Sequence, residues 1–357
     1  MKIGLLAYEL RMNGSGQSRF LINICKGIKN SGYDPIIFSL FIDDSIQNYL
    51  RSNNIEYHCK DKTPGRLFSF YVITYSHSLS KKLAELVVEN EECDVYIVMA
   101  DEAIGVVENI HKLKTVYISN GDMILLFLNH DFRINRRLLA YTLERDFVSK
   151  IREHSKIVSR FDMIIANSNF TSNLMAYLYE IPIDRVVYPP VDSNIFYRQL
   201  SRDINEEQYA VAILRNENDP INSKLQPLSK IIPLKIVGGG HLKGAENLGY
   251  ISDDELREVY SNARINLSPN TKEYFGYSIV ESMSCGTPTV AFNNAGAREL
   301  IENDINGWLV SGIKDLERKV TEIVKTDEDL SGRCLEYSKK YSIERSTSQL
   351  ISYLKEI

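Results

Sequence analysis

Short apolar runs rich in β-branched residues alternate along this chain with segments whose apolar positions recur at helical spacing. The first run, KIGLLAY (residues 2–8), is followed by a loop carrying Gly14 and Gly16. Next comes SRFLINICKGIKNSG (18–32), helical in period and ending at Gly32. DPIIFSLF (34–41), DVYIVMA (94–100), KTVYISN (114–120), SRFDMIIANS (159–168) and DRVVYPPVD (184–192) read as further strands. Such runs, separated by helical patterns, predict a parallel sheet covered on both faces. Pro189 and Pro190 break the series, because proline neither continues a helix nor sits in an inner strand. From Tyr209 it restarts: YAVAILR, LKIVGGG, NLGYI, RINLSP, TPTVAF and GWLV. The reading is α/β, with two doubly wound, Rossmann-like domains at 1–188 and 189–341. A final helical segment covers 342–357, where Leu350, Ile351, Leu354 and Ile357 make one apolar stripe.

A chain of 357 residues exceeds one ordinary core, which agrees with two domains. A net charge of -5 gives no reason to expect nucleic acid as a partner. Cys25, Cys59, Cys93, Cys285 and Cys334 lie far apart with no C-x-x-C pair, so neither a zinc site nor a disulfide framework is indicated. A reducing cytoplasm is the expected compartment. The opening MKIGLLAYEL reads as a buried strand rather than a signal peptide, and no apolar run has the length of a membrane span.

Ligands of open α/β sheets bind at the carboxyl ends of the strands, so the loops after strands draw attention. One of them is PNTKEYFGYSIVESMSCGTPTV (269–290). It reads as a loop after RINLSP, then a helix whose Ile279, Val280 and Met283 face the sheet and which stops at Gly286. Along an unbroken helix Glu273 and Glu281 would stand roughly 12 Å apart. The Phe275-Gly276 turn prevents that, so both carboxylates reach one site, with Glu281 in or near the first helical turn. Between them the amides of Gly276, Tyr277 and Ser278 are the unsatisfied donors of a helix start, which suits a phosphate. Hydroxyl-bearing groups on either side of that phosphate would each meet a carboxylate. The alternative is a helix-favouring Glu281 and a solvated Glu273.

Glu273-Tyr-Phe-Gly-Tyr-Ser-Ile-Val-Glu281 followed by SMSCGTPTVAFNNAGARELI resembles the signature of the retaining glycosyltransferases of family four. Those are GT-B enzymes that use nucleotide-diphosphate sugars. LKIVGGG, NLGYISDDELREVYSNARINLSP, YPPVDSNIF and FDMIIANSNFTSNL resemble the family's flanking segments, so the likeness spans nearly all of 188–310. The resemblance implies two domains facing a central cleft, with the last helix crossing back to the first. It assigns the ribose hydroxyls to Glu281 and the donor sugar to Glu273. Main-chain amides of Tyr277 and Ser278 would meet the diphosphate. Gly238, Gly239 and Gly240 would let the backbone approach the nucleotide, their alternative being a tight turn after a strand, and residues 248–251 would border the base. Arg215 and Lys224 match the family's fixed cations, which would offset the charge gathering on the departing diphosphate. Catalysis is thereby expected from Glu273, Arg215 and Lys224, with no metal and no cofactor. The one Asp-x-Asp pair, Asp327 and Asp329, reads as solvated surface.

The first domain departs from the family pattern. LRMNGSGQSR resembles its glycine loop, and Gly14 and Gly16 would let that loop pass close to the sugar phosphate. A dinucleotide fingerprint would want a third glycine where Arg19 stands, which argues against a dehydrogenase. Where the family often has histidines, the chain reads MADEA and ISNGD. Asn120 stands in place of one of them, able to hydrogen-bond a sugar hydroxyl but not to titrate. Asp101 and Asp122 are the carboxylates nearby, each equally a strand-end turn residue, and no general base is named. In this family the departing phosphate can itself take the acceptor's proton. Residues 131–160 carry eight Lys/Arg against four Asp/Glu beside Leu125, Leu126, Phe127 and Phe132. The segment 125–160 therefore suits peripheral contact with an anionic membrane or a lipid-phosphate acceptor; the alternative is a long solvated helix.

The expectation is transfer of a hexose-type unit from a nucleotide-diphosphate sugar to a hydroxyl acceptor of unspecified identity. The alternatives are a sugar-nucleotide epimerase of the same architecture and a nucleotide-binding member without turnover. The final helix, from about Ser342, is expected to contact the first domain and limit how far the cleft opens.

Overall fold

The structure is a computed structural model. It describes the chain except residues 12–15, 61–67, 91–92, 111, 122–150, 184, 200–207, 216–218 and 271–272, and the backbone alone for 68–77. The chain forms two compact units, Met1–Tyr188 together with Ser346–Ile357, and Pro189–Arg345.

The first unit holds six strands: β1 (Lys2–Leu10), β2 (Asp34–Ile42), β3 (Glu56–Cys59), β4 (Val95–Val98), β5 (Thr115–Ser119) and β6 (Met163–Ala166). They lie in the order β3-β2-β1-β4-β5-β6, with parallel pairing throughout. Ile3, Leu5, Leu6, Ile97, Val98, Val116 and Ile118 are fully buried. Burial on both faces is what an unbroken apolar strand requires, and helices such as Gly16–Asn30 supply the cover. Chain direction away from β1 reverses between β1 and β4, which opens a crevice at their carboxyl ends.

The pattern of apolar runs misjudges two elements here. β3 escapes it because GluTyrHisCys is a partly exposed edge strand with no apolar run. The run 184–192 makes isolated bridges rather than a strand, Val186 to Ala166 and Val191 to Ser342. Ala166 donates to the Arg185 carbonyl and accepts from Val187, each at 2.9 Å. Pro189 and Pro190 follow with no N–H to extend the ladder.

Most of the last helix, Ile343–Leu354, belongs to the first unit. Leu350, Ile351 and Leu354 are buried. Lys114 Nζ donates to the Ile357 carbonyl at 3.0 Å, and Arg185 Nη2 pairs with Glu356 Oε2 at 2.7 Å. Ser342 Oγ accepts from the Arg345 amide at 3.3 Å, capping the helix start.

The second unit repeats the winding with β7 (Ala210–Ile213), β8 (Leu234–Val237), β9 (Glu246–Gly249), β10 (Ile265–Ser268), β11 (Thr289–Phe292) and β12 (Gly307–Val310). Their order is β12-β11-β10-β7-β8-β9, again all parallel. The reversal falls between β7 and β10. Among the described residues, no helix is long and apolar enough to cross a membrane.

Candidate active site

Arg215 follows β7 and Glu273 lies in the loop after β10, so the two enter the same reversal point from opposite sides. Arg215 Nη2 stands 3.5 Å from Glu273 Oε2; the arginine side chain is 71% exposed and the glutamate 13%. The carboxylate is aimed by its neighbours rather than by this long contact. Asn270 Nδ2 donates to Glu273 Oε2 at 3.1 Å, and the Gly296 amide donates to the Glu273 carbonyl at 2.8 Å. Asn294 Nδ2 reaches the Asn270 carbonyl at 3.2 Å. The loop after β11 thus clamps the loop after β10. Residue 296 must be glycine there, since a Cβ would meet the Phe275 carbonyl oxygen at 2.3 Å. Phe275 itself packs edge-on to Tyr277 and Tyr341, with ring centroids 5.6 and 5.9 Å away.

Gly276 turns the chain with φ 114°, a left-handed conformation that glycine adopts at little cost. Helix Tyr277–Ser284 starts directly after it. The Gly276 carbonyl accepts from the amides of Ile279 and Val280 at 3.0 and 3.3 Å, so Tyr277 and Ser278 form the helix's opening end. Glu281 is the fifth helical residue, about 6 Å along the axis from Tyr277, and only 5% exposed. It therefore stands just past the first turn, near the helix start as its spacing predicts. Ile279, Val280 and Met283 are fully buried, and Gly286 at φ 81° ends the helix.

A buried polar anchor fixes this helix to the sheet. Asn266 on β10 donates from Nδ2 to the Ser278 carbonyl at 3.0 Å, with Ser282 Oγ at 3.2 Å and Thr289 Oγ1 at 3.1 Å. Asn266→Ala is expected to cost about 1–3 kcal/mol, the usual penalty for stranding a buried polar group. Urea unfolding measures this, and a midpoint equal to the parent's would show the anchor to be dispensable.

Gly238, Gly239 and Gly240 follow β8 and press on the end of β7. The Gly240 amide donates to the Leu214 carbonyl at 2.8 Å. Cβ atoms at 238, 239 and 240 would meet Leu214 O at 2.6 Å, Arg215 O at 2.8 Å and Leu214 Cβ at 2.3 Å. These glycines thus seat the backbone that carries Arg215, which is reason enough for all three. Tyr250, 74% exposed after β9, sets its hydroxyl 3.1 Å from where a Gly239 Cβ would stand. Lys224 is exposed in the last turn of helix Pro220–Leu225, without an ion pair among the described residues. The link 216–218 between it and Arg215 is outside the described residues.

The first unit's own reversal point carries a polar cluster. Gly16 begins helix Gly16–Asn30, while Gly14 and Asp122 lie outside the described residues. Asn120 Nδ2 donates to the Met99 carbonyl at 2.6 Å, and Gln17 Nε2 to the same oxygen at 3.0 Å. Asp101 is buried and accepts from Tyr117 Oη at 2.7 Å and the Asn120 amide at 3.1 Å, contacts that suit a strand-end turn residue. Glu102 beside it is the group that sequence spacing does not single out. Burial raises its pKa above the ordinary carboxylate value, the Glu9 charge adds to the rise, and hydrogen bonds from its own backbone and from Gln17 oppose it. A raised folded-state pKa means that stability falls as pH climbs from the unfolded value through the folded one. Glu102→Gln is therefore expected to raise the thermal midpoint at neutral pH and to change it little at pH 4. A midpoint unchanged at both pH values would contradict the raised pKa.

Asp327 and Asp329 are exposed, and Asp329 Oδ1 accepts from the Ser331 amide at 2.8 Å. Of the basic segment 125–160, residues 125–150 lie outside the described residues; 151–158 are helical.

Residues 242–341 match the family model of glycosyl transferases group 1. The chain is 25% identical to a human GDP-Man:Man(3)GlcNAc(2)-PP-Dol alpha-1,2-mannosyltransferase over 57% of its own length and 51% of that protein's. It is 32% identical to the Escherichia coli O-antigen chain mannosyltransferase B over 30% of this chain and 29% of that one. It is 24% identical to a Kluyveromyces lactis alpha-1,3/1,6-mannosyltransferase over 86% and 74%. The chain thus spans about half the length of the human relative. In fold it is similar to Anabaena Alr3699/HepE, solved in complex with UDP and glucose, at TM-score 0.73 and 18% identity over 100% of both chains. Sucrose-phosphate synthase from Thermosynechococcus elongatus superposes at TM-score 0.74 with 14% identity over 99% and 98%. The chain is family-four glycosyltransferase-like, on the GT-B architecture.

Proposed function

We propose that this protein is a retaining glycosyltransferase that moves a hexose unit from a nucleotide-diphosphate sugar to a hydroxyl acceptor. The observation that carries the reading is the meeting of Arg215 and Glu273 at the second sheet's reversal point, beside a glycine-turned helix start. The match to glycosyl transferases group 1 and the mannosyltransferase relatives support glycosyl transfer. The UDP and glucose of Alr3699/HepE support a nucleotide-sugar donor. Mannose and glucose are accordingly the sugars to try first.

In this reading the amides of Tyr277 and Ser278 face the diphosphate and Arg215 binds one of its phosphates bidentately, with Lys224 as a point charge. Glu281 accepts from the vicinal ribose hydroxyls. Glu273 accepts from the sugar and favours positive charge at the anomeric carbon. The bond from that carbon to the phosphate oxygen breaks, its electron pair staying on the oxygen. The acceptor hydroxyl attacks from the same face, and its proton passes to the departing phosphate. Main-chain amides and fixed cations are aimed before the charge develops, which is where electrostatic catalysis gains most.

A panel of GDP-mannose, GDP, UDP-glucose and UDP, read by calorimetry and then by product formation with simple glycoside acceptors, tests the proposal. Binding of neither nucleotide would refute it. Because Arg215 and Lys224 supply the positive charge, EDTA is expected to leave transfer within about twofold of its untreated rate. A hundredfold loss restored by magnesium or manganese would require a metal instead.

A further inference from the structure

On the second unit, an open surface cavity of about 500 Å³ is lined by the exposed Arg333, Glu336, Lys339, Lys340 and Arg345 and the half-buried Tyr337. None of the residues assigned above to the donor lines it. Four cations face it against one carboxylate, a local excess of +3 in a chain whose formal net charge is -5.

The cations are exposed and partly committed. Arg333 Nη1 donates to the Asp304 carbonyl at 2.8 Å and lies 3.6 Å from Glu328 Oε1. Lys339 pairs with Glu336. Lys340 Nζ stands over the Tyr337 ring, 3.6 Å from its centroid. Among the described residues no carboxylate pairs with Lys340 or Arg345. Lys339 and Lys340 lie on the short 3-10 turn Lys339–Tyr341. That turn is pinned by the buried Tyr341, whose carbonyl accepts from the Val191 amide at 2.8 Å. Like charges held on a fixed backbone repel one another, and a shared anion relieves that repulsion. The volume falls in the range of small-molecule sites of about 300–1,000 Å³. A guanidinium fork and ammonium groups together match the tetrahedral oxygens of a phosphoryl group.

We propose that this cavity is a second anion site, which binds a phosphate-bearing ligand through Arg333, Lys340 and Arg345. Two sources share that chemistry: a soluble phosphate ester and the phosphodiester headgroup of an anionic lipid.

The full-length protein is titrated with inorganic phosphate and with glycerol 3-phosphate in low-salt buffer by calorimetry. In parallel it is sedimented with phosphatidylcholine vesicles, with and without phosphatidylglycerol. The double variant Lys340→Gln/Arg345→Gln is run alongside, with UDP and GDP titrations as the control for the donor site. Binding of the soluble phosphates, weakened about tenfold in the double variant with nucleotide affinity unchanged, supports the site with a soluble source. Retention on phosphatidylglycerol vesicles that the double variant loses supports it with a lipid source. If neither phosphates nor vesicles respond to the double substitution, the cavity is not an anion site. Nucleotide binding persists in that case, so its failure is distinct from failure of the glycosyltransferase reading.

Discussion

Glu273→Ala is expected to lower turnover by about a hundredfold or more while leaving the dissociation constant of free nucleotide diphosphate within about twofold. Glu281→Ala is expected to do the reverse, weakening free nucleotide by about tenfold to a hundredfold, as losing a charge-assisted hydrogen-bond pair does. The asymmetry follows from where the two carboxylates stand. Glu273 is in a loop, held by Asn270 and clamped from behind by Gly296, and it meets Arg215 at the mouth of the reversal point. On the proposed reading, its truncation removes an acceptor for the sugar and leaves the helix start intact. Glu281 is buried one turn inside the helix, so a ligand group reaching it must enter deeply, as a ribose does beyond the phosphates. Glu281→Gln keeps the volume and separates loss of charge from loss of packing. Gly296→Ala is a companion: the added Cβ collides with Phe275 and should push Glu273 out of place, copying the turnover defect. Equal loss of nucleotide affinity in Glu273→Ala and Glu281→Ala would dissolve this division of labour.

The strands legible in the sequence are those buried on both faces, because an inner parallel strand needs an unbroken apolar run and nothing else produces one. β3 shows the converse: an edge strand is half solvated, so GluTyrHisCys carries no such mark. The run 184–192 has the mark and lacks the ladder, since Pro189 and Pro190 interrupt its N–H donors between Val187 and Val191. Within the site, residues 273–286 show their turn and helix because glycine and aromatic positions are local signals. What pairs across the sheet is not local. Arg215 and Glu273 are far apart in sequence, and only the strand order brings β7 beside β10. Asn266, Asn294 and Gly296 act through contacts with other elements and loops, and no spacing within their own segments points to a partner. The three glycines after β8 illustrate a different limit. Their run reads as a ligand-approach loop, whereas close packing on Leu214 and Arg215 already demands glycine at each position.

Deleting Ser346–Ile357 is expected to have the second large effect, and to act on the first unit. The segment belongs to that unit although 157 residues, Pro189–Arg345, separate it in sequence. Leu350, Ile351 and Leu354 are buried in it, each worth about 1.5–3 kcal/mol against exposure. Together they approach the whole stability of a typical domain, about 5–15 kcal/mol, even when that estimate is lowered for a compact unfolded state. The deletion also strands their partners: Lys114 loses the Ile357 carbonyl, and Arg185 loses Glu356. Hydrogen exchange resolves the outcome by region. In the truncated chain, amides of β1, β4 and β5 should lose protection while those of β7, β10 and β11 keep most of theirs. Nucleotide affinity, assigned to the second unit, should then survive better than turnover. Leu350→Ala/Leu354→Ala in the full chain should reproduce the pattern, each substitution costing about 2–5 kcal/mol. A truncated protein whose first-unit strands exchange as slowly as the parent's would show that the helix covers that unit without stabilising it.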